Sequence, residues 1–153
     1  MQTARPTAQQ TQALIATGTP AGFAWTVSDG RWQFARHLRF INRKLVALAA
    51  GRIKRLMVFC PPRHGKSELC SKFFPAWYLG TFPSRRVMLA SYEATFAATW
   101  GRKARSLIED HGSLFGVRVS DQSSAADHWE IKGHGGGMST AGIGGPLTGK
   151  GCD

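Results

Sequence analysis

Apolar residues recur along the middle of the chain with two different periods. Phe34, Leu38, Ile41, Leu45 and Leu48 are spaced as one face of a helix over residues 34–50, with Gly51 as its stop. Arg36, Arg39 and Arg43 fall on a different face of that helix. The pattern then changes. Leu56-Met57-Val58-Phe59 is a short continuous apolar run, which predicts a strand buried on both faces, as in parallel sheets. A loop follows from Cys60 to Gly65. A helix is predicted from about Lys66, and Pro75, which lacks an N–H, should kink or end it. Val87-Met88-Leu89-Ala90 repeats the strand pattern. Glu93 to Asp110 repeats the helical one, with Phe96, Trp100, Leu107 and Ile108 toward the core. Strand, helix, strand, helix in this order predicts an α/β fold with a mainly parallel sheet.

The flanks are less regular. Residues 1–22 are rich in Thr, Gln, Ala and Pro without a sustained period, and read as a flexible arm before a domain over residues 23–153. Leu114 to Val119 and Trp129 to Lys132 predict short strands. The glycine-rich stretch from Gly133 to Gly151 reads as a linker on composition, or as a turn-rich hairpin and loop beside a ligand site.

Composition narrows the class. With 153 residues and 42% hydrophobic content the chain can bury a core. No apolar run is long enough to cross a membrane, and the polar start lacks the apolar centre of a signal peptide. Three cysteines without paired spacing argue against a disulfide framework or a zinc site, and the five histidines are scattered. The net charge is +11, and its distribution is one-sided: between Asp29 and Glu68 there are ten basic residues and no acidic one. Such a block suits a polyanionic partner, or a solvated face of a basic protein.

The candidate chemistry lies at Cys60-Pro61-Pro62-Arg63-His64-Gly65-Lys66-Ser67. This stretch matches G-x-x-x-x-G-K-[ST] at all but its first position, where Cys60 stands for Gly. Backbone N–H groups of such a loop form an anion-binding nest, and the N-terminus of the next helix adds to it. Pro62, Arg63, His64, Gly65, Lys66 and Ser67 are therefore the candidate nucleotide-binding residues. Lys66 is placed for the terminal phosphates of ATP, and Ser67 for Mg²⁺. Arg63 adds a cation that either stabilises transition-state charge or faces solvent.

PPRHGKSEL, preceded by GRIKRLMVF, resembles the ATPase domain of the large terminase subunit of tailed bacteriophages and prophages. The likeness continues through FPAWYLG (74–80), RRVMLASY (85–92), WGRKARSLI (100–108) and GIGGPLTGKGCD (142–153), roughly residues 34–153. It implies a RecA-like nucleotide-binding domain that couples ATP hydrolysis to translocation of double-stranded DNA into the capsid. The implied setting is a ring of large subunits at the portal protein, assisted by a small terminase subunit, in the cytoplasm of the bacterial host. Onto this chain it carries Lys66 and Arg63 as catalytic residues and Ser67 as the Mg²⁺ ligand. Gln33 is a candidate adenine contact, and Arg36, Arg39 and Arg43 are candidate DNA contacts.

In that family the segment resembling GIGGPLTGKGCD leads into a strand ending in paired carboxylates, and a nuclease domain follows. Neither lies within this sequence, so the expectation is a partial ATPase domain with slow turnover, an unfilled gap between Val58 and Leu89, and exposed strand edges. Two other readings stay open on the sequence alone: another phosphate-loop ATPase of helicase type, and a non-enzymatic basic DNA-binding module.

Overall fold

The computed structural model describes residues 7–144 and 151–153. The expected arm over residues 1–22 lies outside these at residues 1–6. From there on it is structured, which corrects that expectation. Thr7 caps helix α1 (Ala8–Gly18): its hydroxyl accepts from Gln10 N–H, and the Gln10 side chain accepts from Thr7 N–H, a reciprocal capping box. Thr19 caps α2 (Pro20–Val27) in turn, with Pro20 in the first turn, where its missing N–H costs nothing. The polar residues that suggested mobility are thus helix caps. Ala16, Phe23 and Ala24 are fully buried, and the Trp77 indole donates to the Thr17 carbonyl at 2.8 Å, tying α1 to the core.

α3 (Arg36–Ala49) follows the predicted stripe, with Leu38, Ile41 and Leu45 buried. The strand expected over Leu56–Phe59 does not form. Leu56 and Val58 pack on the cluster of Leu38, Ile41, Leu45 and Leu69, while Met57 is 80% and Phe59 85% exposed. The reason is that among the described residues no strand lies alongside: the segment makes no ladder with them, and only one of its faces is covered.

The helix after the phosphate loop starts at Lys66, passes through a π-helical turn (Glu68–Phe73) and continues as α4 (Phe74–Thr81). Pro75 does not end it. The widened turn, in which Phe74 N–H bonds to the Leu69 carbonyl, precedes the proline, and Pro75 then sits in the first turn of the regular helix.

β1 (Arg86–Ser91), α5 (Ala94–His111), β2 (Val119–Ser124), β3 (His128–Ile131) and β4 (Gly137–Gly142) complete the described elements, with a 3₁₀ turn (Gly112–Phe115) after α5. The fold is α/β, but the sheet is mixed rather than mainly parallel. In the order β1-β4-β3-β2, only β1 and β4 are parallel. β3 and β4 are the two arms of a hairpin, so the described part of the glycine-rich stretch is sheet, not linker; residues 145–150 of it lie outside the described residues. Glycine is required there by close approach. A Cβ on Gly137 would stand 2.2 Å from the Trp129 carbonyl, and one on Gly136 2.3 Å from that of Pro83.

β1 is an edge strand and only half-buried. The Arg85 and Ser91 carbonyls accept from Gly137 and Ile143 of the β4 side, so Arg86 faces the free edge. There Asp153 meets it: its N–H donates to the Arg86 carbonyl at 3.0 Å, and its carboxylate accepts from Arg86 N–H and from the Arg85 guanidinium. Those bonds hold the Asp153 carboxyl below the usual carboxylate range, the backbone N–H of Arg86 contributing most. α5 covers β1 and β4 with Ala97, Ala104, Leu107 and Ile108. Phe96 departs from expectation at 44% exposed; it stacks on Tyr92 and meets Trp100 edge to face.

The packed N-terminal helices give a direct test. Ala16→Asp places an unpaired charge in the core and should destabilise the protein by about 3–5 kcal/mol in urea unfolding. A mobile arm would leave the transition unchanged.

Candidate functional site

Residues Pro61 to Glu68 enclose a hollow of about 150 Å³, which brings Pro62, Arg63, His64, Gly65, Lys66 and Ser67 together. Two residues give the loop its curvature. Gly65 has φ +79° and Arg63 has φ +61°, both in the left-handed region. Glycine enters that region freely, whereas for an L side chain it costs roughly 1–2 kcal/mol. Arg63 therefore carries backbone strain within the very loop where it presents a cation. Gly65 is constrained twice, because a Cβ there would also lie 3.2 Å from Leu38 Cδ1.

The loop is braced internally and from α3. His64 Nδ1 lies 2.8 Å from the Pro62 carbonyl, and His37 Nε2 lies 2.9 Å from the His64 carbonyl. The two imidazole rings meet edge to face at 5.9 Å. Trp32 reaches the Gly65 side of the loop and packs against Phe73 of the helix that follows. Sequence reasoning missed His37, Leu38 and Trp32 as loop supports. Leu38 was visible only as a core position. A bond across 27 residues leaves no periodic trace, so His37 had no signal of its own.

Cations face the hollow without partners. Among the described residues neither Lys66 nor Arg63 forms an ion pair, whereas Glu68 at the rim is held by Lys72 at 3.2 Å and Lys103 at 3.7 Å. Cys70, one turn beyond Lys66, has its thiol pushed up to about 11 by burial, against a smaller opposing pull from the Lys66 charge. Ser67 is exposed at the start of the helix, its hydroxyl open to a ligand. Among the described residues no group of three His, Cys, Asp or Glu could hold an ion unaided. Asp153, at the start of β1, is not among the residues that enclose the hollow.

Beside the loop lies a cleft of about 620 Å³ between α3 and the Phe59–Pro61 segment, lined among others by Arg36, Phe40, Arg43 and His64. Arg36, Arg39 and Arg43 are all exposed, and with Phe34 and Asn42 they line a second, shallower depression on α3. The three candidate DNA contacts are thus neighbours on one helix. Gln33 is exposed in the link before α3, and lines neither the hollow nor the cleft.

Comparison with known proteins adds no relative: no family model, no characterised protein and no solved structure matches this chain.

The thiolate is the reactive form of cysteine, so the raised Cys70 thiol should resist alkylation. At pH 8, mass spectrometry of iodoacetamide-treated protein should show exposed Cys152 modified first and Cys70 last. Equal rates at the two sites would contradict the burial of Cys70.

Proposed function

We propose that this chain is the phosphate-gripping part of an ATP-driven DNA-packaging motor, the N-terminal ATPase domain of a terminase large subunit. The observation that carries the reading is the loop itself: a left-handed glycine, two unpaired cations and an open serine hydroxyl gathered around one small hollow at a helix start. That combination suits a polyphosphate, because loop N–H groups, the helix N-terminus and Lys66 all favour the same charge. The ordered motifs from PPRHGKSEL to GIGGPLTGKGCD narrow the class from phosphate-binding loops in general to the terminase type.

In this reading ATP enters with Mg²⁺, an ion that binds through phosphates with few protein ligands. Ser67 supplies one oxygen to it, and Lys66 and Arg63 bind the terminal phosphates and offset the charge that develops on them. In this reading the core is RecA-like, with the extended segment 56–59, which is not a ladder strand among the described residues, leading into the loop. Double-stranded DNA is the polyanion that the α3 arginines meet. Work at the portal, in a ring of large subunits with the small subunit, in the host cytoplasm, follows from the same resemblance. A helicase-type ATPase shares the loop but not the ordered motifs, and a basic DNA-binding module needs no unpaired lysine at a phosphate-sized hollow.

Two measurements test this. Lys66→Ala removes a charge-assisted contact and should weaken MgATP binding in calorimetry by about 10- to 100-fold. Unchanged affinity would exclude the nucleotide reading. Reversing Arg36, Arg39 and Arg43 to Glu together should weaken duplex DNA binding and flatten its salt dependence by up to about three units of logarithmic slope. An unaltered slope would remove α3 from the DNA surface while leaving the nucleotide site intact.

A further inference from the structure

We propose that His37 is a positioning residue for the phosphate loop: it fixes the peptide between His64 and Gly65 so that the Gly65 N–H is turned toward a bound phosphate. The proposal rests on the phosphate-binding reading of the loop and deepens it, since His37 lies on α3 and outside the loop motif.

The chemistry of the contact sets the protonation state. His37 Nε2 stands 2.9 Å from the His64 carbonyl oxygen, which can only accept, so Nε2 carries the proton and donates. The chain has no cis peptide bond among its described residues. In a trans peptide the C=O of one residue and the N–H of the next point in opposite directions. With the His64 carbonyl held against α3, the Gly65 N–H is turned off α3, and in the proposed role it is this N–H that meets a phosphate held in the hollow of residues 61–68.

Leu38, the next residue of α3, lies under Gly65 and would crowd a side chain there, a Cβ standing 3.2 Å from its Cδ1. Two consecutive α3 residues thus act on the two halves of one peptide, His37 on its carbonyl and Leu38 on the glycine after it. The loop's own histidine braces the preceding turn through the Pro62 carbonyl. The need for such a brace follows from the fold. Among the described residues the segment entering the loop makes no ladder, so no sheet hydrogen bond with them fixes its direction. His37 is exposed, and an exposed hydrogen bond contributes little to global stability. Its effect is therefore on loop orientation, and appears in ligand affinity.

The test compares His37→Ala with His37→Gln, whose side-chain amide again offers a donor, using MgADP affinity by calorimetry, the thermal unfolding midpoint and the Gly65 amide resonance. His37→Ala should weaken MgADP about 3- to 10-fold, keep its unfolding midpoint, and lose the Gly65 amide shift that MgADP induces in the parent protein. His37→Gln should recover most of the affinity and the shift. If His37→Ala proves unstable, His37→Leu, which keeps bulk without a donor, replaces it in the comparison. Parental affinity in His37→Ala beside lost binding in Lys66→Ala would overturn the role of His37 alone. Gln as weak as Ala would overturn it too, because the donor would then be irrelevant. Parental affinity in Lys66→Ala would instead remove the phosphate reading on which the proposal rests.

Discussion

The contact between α3 and the backbone of the phosphate loop is the constraint on which the candidate site depends. The chain approaches the loop as an extended segment with one covered face and no strand partner among the described residues, so no sheet hydrogen bond from them sets the loop's position. That task falls to Leu38 beneath Gly65, and to His37 at the His64 carbonyl. On the far side the loop is anchored by the helix it starts, where Leu69 is fully buried and its N–H donates to the Gly65 carbonyl. A loop with left-handed residues at 63 and 65 has a backbone that costs free energy to hold. It persists because packing on both sides determines it.

α3 therefore has two roles that its sequence pattern keeps apart. Leu38, Ile41 and Leu45 face inward, and Arg36, Arg39 and Arg43 face solvent. His37 lies between an exposed arginine and the buried Leu38, and these two adjacent side chains, His37 and Leu38, both reach the loop. α3 thus braces the loop on one side and presents cations on another, so under the proposed function it would link the nucleotide to the DNA. Two partners that share a rigid element influence each other only if that element has two arrangements.

The remaining architecture holds these parts through close approach. Gly136 and Gly137 let β4 lie between β1 and β3 where any Cβ would strike a carbonyl. Trp129, fully buried, donates to the Gly101 carbonyl and so docks the sheet on α5. Phe23 and Trp77 bring the N-terminal helices into the same core. Among the described residues β1 meets nothing along its outer edge but Asp153 at Arg86. Free edges pair readily with other chains, so Met57, Phe59 and Tyr92, exposed apolar side chains elsewhere on the molecule, add to an association-prone surface.

How much was legible in the sequence follows from the range of each interaction. Local periodicity was enough for α3, for α5 and for β1, because a stripe at helical spacing or a short apolar run reports on its own backbone. The phosphate loop was legible for the same reason: its residue types express a local backbone geometry. Polar composition misled at residues 7–22, where threonines act as caps and the short helices draw their stability from a core supplied by Trp77 and Phe115. The run 56–59 misled in the opposite sense, since strand character needs a partner that local sequence does not reveal. The mixed sheet, the bond from His37 and the exposure of Phe96 arise between residues far apart in the chain. Hydrophobic period and motif by themselves determined α3, α5, β1 and the turn of the loop at 60–67; tertiary packing alone decided whether the segments 7–22 and 56–59 form elements, which faces are covered, which strands pair and what holds the loop, because those energies depend on neighbours that the sequence brings together only on folding.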